Sequence, residues 1–178
     1  QMREQVEHQI NTRTKALEQQ NWVKSHGAEI SETLSQQDSI ETLAEYVLST
    51  LARVLKAHCA VFYIHERALD NNADIALTLS ATYGYKKRKT SNPVIALGEG
   101  LVGQCAKEKK AIILTKVPKG YIPINSGLGE KSPKNLYLMP VLFNERLLGV
   151  IEIASLNKFS HFGIELLEQT AKTIGINL

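Results

Sequence analysis

The chain has 178 residues, of which 43% are hydrophobic and 22% charged, with a formal net charge of +3 at neutral pH. That length and composition fit one ordinary globular core plus an appendage, and the modest charge offers no basic face for nucleic acid. There are two widely separated cysteines, no run of about 18 apolar residues and no secretion or transit signal at the start, which together exclude a disulfide scaffold and a spanning helix and point to the cytoplasm.

The chain opens on Gln1, as a piece cut from a longer protein would. Residues 1–34 are rich in Gln, Glu, Lys and Thr, lack Pro, and carry Met2, Val6, Ile10, Leu17, Val23, Ile30 and Leu34 at spacings near multiples of three or four. This predicts a helix on the order of 50 Å long whose first half is too polar for a core and needs a partner helix. Arg13, Gln20 and Lys24 interrupt the seam, so any coiled coil there is weak; after Trp22 a helix lying along its own domain is an equal alternative. Asp38 and Glu41 have capping-box spacing ahead of Ile40, Leu43, Ala44, Val47, Leu51, Val54 and Leu55, an amphipathic helix.

A β-rich region follows. Residues 59–64 form a first strand, 67–74 a turn, and Ile75, Leu77, Leu79, Ala81, Tyr83 and Tyr85 alternate as a strand with one buried face. A short strand at 94–97, a short helix at 101–109 and a strand at 111–114 come next. Segment 118–134, with three Pro and three Gly, is expected to be an irregular lid or binding loop. Two strands at 136–143 and 147–155 meet at Asn144-Glu145 as a hairpin, with a bulge or missing bond at Pro140. Ser160 caps a last helix in which Ile164, Leu167, Ala171, Ile174 and Leu178 step as a heptad seam. The order predicts an α+β domain with a mainly antiparallel sheet of about six strands and long terminal helices on one face.

Few residues offer chemistry. Gly98-Glu99-Gly100-Leu101-Val102-Gly103 matches the G-x-G-x-x-G pattern, yet no Asp or Glu lies between Glu108 and Glu130 to hold a ribose. The glycines are better read as a tight turn that brings a helix N-terminus to the floor of a cavity. The five histidines are scattered without metal-ligand spacing. Cys105 on a short amphipathic helix reads as a small buried hydrophobe, and the basic run Lys86-Lys87-Arg88-Lys89 as a solvated loop. No catalytic constellation, metal site or cofactor is predicted.

Three stretches carry a family resemblance: Leu97-Gly98-Glu99-Gly100-Leu101-Val102-Gly103-Gln104, Met139-Pro140-Val141-Leu142, and Leu148-Gly149-Val150-Ile151-Glu152-Ile153-Ala154-Ser155 followed by Phe159-Ser160. Together they resemble GAF domains, in particular those of bacterial multi-sensor and hybrid histidine kinases. Residues 18–22 resemble the helix that joins an upstream HAMP-type segment to such a domain. The resemblance implies a GAF/PAS-like fold, with a linker helix over 1–29 and the domain over 30–178. It implies a homodimer joined through Val6, Ile10 and Leu17 of the first helix and Ile164, Leu167, Ala171, Ile174 and Leu178 of the last. It also implies a pocket for an unknown small molecule on the other sheet face. By position, Phe62, Leu79, Tyr83, Leu101 and Val102 would line that pocket, together with Cys105, Tyr121, Tyr137 and Met139; ordinary core packing is the alternative for each apolar member.

Several GAF activities lack their required groups here. Asn157-Lys158-Phe159 is similar to the start of the cyclic-nucleotide motif, but Leu166-Leu167 stand where its acids belong. Neither cysteine has the following His of bilin-binding relatives. The GAF-type methionine sulfoxide reductases need several cysteines in loops. Neither a phospho-acceptor helix nor an ATP-binding box is present, so kinase activity would belong to a region outside this chain. The resemblance therefore implies a non-enzymatic sensory module of a phosphorelay histidine kinase that shifts the packing of its terminal helices. Alternatives are a ligand-free dimerisation spacer, or a regulator of another output such as a phosphodiesterase or diguanylate cyclase.

Overall fold

The computed structural model describes residues 1–66, 76–85, 94–121, 124–126 and 129–177. Its first element, α1 (Met2–Leu34), is one unbroken helix that runs through the expected division at 29/30. Residues 1–21 are exposed throughout. From Trp22 the helix docks: the indole meets the Phe162 ring edge-on at 4.9 Å, and Val23, Gly27, Ile30 and Leu34, all on one face, are buried. The two readings of this helix thus apply to its two halves, a free half and a docked half.

Helix α2 (Ile40–Leu55) starts one residue later than the capping-box spacing suggests. Ser39, not Asp38, is the cap, its hydroxyl accepting the Thr42 amide at 3.2 Å. Lys56 in the left-handed conformation ends the helix, and the chain enters β1 (Cys59–Glu66). The sheet continues with β2 (Ala76–Tyr83), β3 (Val94–Ala96) and β4 (Ile112–Leu114), with α3 (Gly100–Glu108) between the last two. Within 118–134, expected to hold no regular element, β5 (Ile124–Ser126) and β6 (Gly129–Lys131) form a small antiparallel pair. Strands β7 (Asn135–Phe143) and β8 (Arg146–Ser155) and helix α4 (His161–Asn177) complete the fold. The expected turn at 67–74, Ile75, the basic run 86–89 and Leu178 lie outside the described residues.

The main sheet has six strands in the order β3-β2-β1-β8-β7-β4, every pairing antiparallel. Asn144 and Glu145 both have positive φ, 49° and 63°, the mirror-image turn whose twist suits a two-residue hairpin. Pro140 keeps its place opposite Val150, and the irregularity falls after it, between Val141 and Leu142.

Strand alternation divides the core into two layers. Ala60 and Phe62 of β1, Tyr137, Met139 and Val141 of β7, and Ile151 and Ile153 of β8 pack against α1, α2 and α4. Their neighbours Cys59, Val61, Tyr63, Leu136, Leu138, Val150 and Ala154 form a second cluster with Val102, Cys105 and Ala106 of α3. On β2 the alternation is not strict. Phe62 faces Ala81 and Tyr63 faces Leu79, so Ser80 is an extra residue, and the bulge puts Ala81 in the helical layer while Leu77 and Leu79 belong to the other.

Helix α4 is capped by Ser160, whose hydroxyl accepts the Gly163 amide at 3.1 Å. Its expected partner seam is turned inward: Leu167, Ala171 and Ile174 are buried in this chain's own core and Ile164 packs against it. The physical reason is the sheet itself, whose helical face needs an apolar cover, and α4 supplies it. These side chains therefore do not form a free seam for a second copy.

Candidate functional site

After Arg146, strand β8 reads Leu-Leu-Gly-Val-Ile-Glu-Ile-Ala-Ser, and one carboxylate stands in that apolar run. Glu152 sits in a central strand between Val61 and Leu138, its direct cross-strand neighbours, and is 2% exposed. Burial disfavours its charged form and pushes its pKa up to about 7 from an ordinary 4.5; the phenol of Tyr121, donating to Oε2 at 3.0 Å, pulls the other way. A proton is thus held or released at this carboxyl near neutral pH.

Glu152 forms part of the wall of a cavity of about 250 Å³, shared with Tyr63, Tyr85, Ile95 and Tyr121 and with residues Glu99 to Val102 at the start of α3. The glycine run builds that edge. Gly98 (φ +85°) and Gly100 (φ +61°) take a conformation open to glycine, and a Cβ on Gly103 would run into the Ala96 carbonyl oxygen. The Gly98 amide donates to Gly103 O at 2.8 Å, the Gly103 amide to Glu99 O at 2.9 Å, and the Ala96 amide to Glu99 Oε2 at 2.9 Å. The turn closes on itself and fixes α3 against β3, with the helix N-terminus at the cavity edge as its glycines suggest.

The nearby thiols are inert. Burial, then the charge of Glu152, raises Cys59 and Cys105 to about 12, so neither supplies a thiolate near neutral pH. The phenols of Tyr63 and Tyr121 are pushed upward for the same two reasons, so both remain neutral donors. Among the described residues no group of three His, Cys, Asp or Glu side chains is placed to hold a metal ion.

Of the nine expected lining residues, Leu101, Val102 and Tyr121 line this cavity, and Leu79 and Cys105 belong to the apolar cluster around it. Phe62, Tyr137 and Met139 do not: they point through the opposite face into the helical layer. Tyr83 lies beyond the bulge at Ser80 and is 37% exposed. Sequence reasoning missed Tyr63, Tyr85, Glu99 and Glu152. For Glu152 the signal was available, an acid inside a strand apolar on both faces; for Tyr63 it was parity with Val61.

Two other depressions are less enclosed by chemistry. Lys15, Trp22, Lys56, Lys158 and Phe162 border an open groove of about 500 Å³ where α1 crosses the approach to α4. Tyr137 and Met139 border a cleft of about 280 Å³ beside Glu168 and Lys172 of α4. Neither has a buried carboxyl in its wall.

The family model for the GAF domain matches residues 37–178. No curated protein matches the chain by sequence. Among solved structures, the GAF domain of a phosphoenolpyruvate-protein phosphotransferase from Coxiella burnetii is similar with a TM-score of 0.69 at 18% identity, over 87% of this chain and 91% of that one. The free methionine-R-sulfoxide reductase of Neisseria meningitidis gives 0.66 at 16%, over 87% of each chain. The A. Aeolicus nlh2 GAF domain in an inactive state gives 0.66 at 20%, over 89% of this chain and 96% of that one. At these identities the likeness is one of fold.

Proposed function

Because the chain belongs to the GAF domain family, whose members are regulatory and sensory modules, we propose that it senses a small molecule and passes the result to an output through its terminal helices, as part of a bacterial phosphorelay histidine kinase. The observation that carries this reading is the placement of a buried carboxyl–phenol pair in a cavity on one sheet face, with both chain-terminal helices packed on the other. Glu152 alternates along β8 with Ile151 and Ile153, which touch the helical layer. A ligand that shifts β8 therefore acts on both sides of the sheet, to the extent that it binds one arrangement better than the other.

The module works in the cytoplasm as a homodimer, without nucleic acid and without inserting into a membrane; among the described residues no helix is long and apolar enough to cross one. Its partner surface is the free half of α1, where Met2, Val6, Ile10 and Leu17 are exposed on a helix with no other cover. Docking of α1 on α4 through Trp22 and Phe162 links that surface to the output helix. Kinase chemistry belongs to the parent protein and not to this module.

Native mass spectrometry of the chain and of Val6→Glu/Leu17→Glu tests the reading. We expect a dimer for the native sequence and a folded monomer for the variant, with any co-purifying small molecule seen as a discrete added mass. A native monomer would remove the helix-mediated dimer from the proposal.

A further inference from the structure

The wall of the Glu152 cavity is chemically one-sided. Among its described residues it has two carboxyls, Glu99 and Glu152, three phenol rings, from Tyr63, Tyr85 and Tyr121, and no basic side chain. Tyr63 lies within electrostatic reach of both Tyr85 and Tyr121, so the rings cluster around one space and are not spread along a surface. The start of α3 adds a partial positive charge of about half a unit. Glu99 at that helix end outweighs it before Glu152 is counted.

We propose that the cavity takes a small organic ammonium ion, its charge facing the Glu152 carboxylate and its alkyl groups lying against the faces of Tyr63, Tyr85 and Tyr121. The inference rests on reading this cavity as the sensory site and names the ligand class for it. Among the described residues of the wall Glu152 has no basic neighbour, so its ionised form lacks a counter-charge there, and tyrosine faces attract cations most where water is excluded. An anion would meet both carboxyls; a neutral guest would leave the Glu152 charge unmatched.

Binding is linked to protons. Among the described residues, the titratable groups facing Glu152 are Cys59 and Tyr63 from β1, Tyr85 beyond β2, Cys105 from α3, Glu99 at the α3 end, and Tyr121. Cys59, Tyr63, Cys105 and Tyr121, all pushed upward by burial, stay neutral when Glu152 ionises. An ammonium guest favours the ionised carboxyl, so its affinity rises as pH increases through about 7 and levels off above.

Choline, its neutral isostere 3,3-dimethylbutan-1-ol and the anion 3,3-dimethylbutanoate form the test, titrated into the isotopically labelled chain with amide chemical shifts as readout. We expect choline to bind about tenfold more tightly than either control, to shift amides of Tyr63, Val102, Tyr121 and Glu152, and to weaken as pH falls below 7. Glu152→Gln should abolish the preference and the pH dependence; Tyr85→Leu, at a half-buried position, weakens choline binding while keeping the pH dependence. Equal or tighter binding of the neutral or anionic probe at those amides would overturn the ligand class and leave the sensory cavity standing. Silence from all three probes also overturns the class, while a discrete added mass of another chemistry in the native spectrum would keep the sensory reading.

Discussion

The two faces of the central sheet are built from the same strands but by different rules. Toward the helices, β1, β7 and β8 present Phe62, Tyr137, Met139, Ile151 and Ile153 to a layer of Leu, Val and Ile from α1, α2 and α4, and these side chains are almost wholly buried. Toward α3 the cover among the described residues is lighter, and the space left over is walled by two carboxyls and three phenols. The difference shows that alternation separates two tasks along one strand: odd positions of β8 near its centre hold the fold together, and the even position 152 is free to carry a charge.

The largest effect expected from this contrast is on stability. Leu167→Ala, which empties a fully buried site of the helical layer, should cost about 3 to 4 kcal/mol in urea unfolding, whereas Leu101→Ala at the cavity edge should cost under about 1. The comparison breaks if Leu167→Ala leaves stability unchanged and instead dissociates a dimer, because the α4 seam would then face a second copy.

Glu152→Gln sharpens the contrast through pH. A carboxyl whose pKa is raised on folding stabilises the fold fully below the unfolded value near 4.5 and loses that contribution as pH rises through the folded value near 7. The native chain should therefore lose up to about 3 kcal/mol between these limits, and Glu152→Gln should lose none of it and be the more stable protein above pH 7. Equal pH profiles for the two proteins would show that Glu152 is ionised in the fold as readily as in water.

Most of the fold was legible because its signals are local. The 3.6-residue periodicity of α2, the Ser160 cap and the Asn144-Glu145 turn each act within a few residues, and the elements stand where those signals place them. The cavity was less legible because its lining depends on parity across strands. A single extra residue, Ser80, reverses the facing of Tyr83 relative to Leu79, and no local pattern in 75–85 marks it. Phe62, Tyr137 and Met139 were assigned to the cavity by position alone, which does not say which face of the sheet a side chain takes, and all three stand in the helical layer. The seam of α4 erred in the same way, since apolar residues at heptad spacing serve a sheet as readily as a partner helix.

The smallest effect tests whether the carboxyl–phenol pair is proton-linked or only packed. Tyr121→Phe removes the donor to Glu152 Oε2 while keeping the ring. That bond stabilises the ionised carboxyl more than the protonated one, so its loss raises the folded pKa further. The variant should match the native chain below about pH 4.5, where Glu152 is protonated in both states, and fall behind by about 1 kcal/mol above pH 7. Urea midpoints measured across that range decide the matter. A deficit of equal size at every pH would make Tyr121 a packing residue, and the cavity face would then differ from the helical face in shape but not in its response to protons.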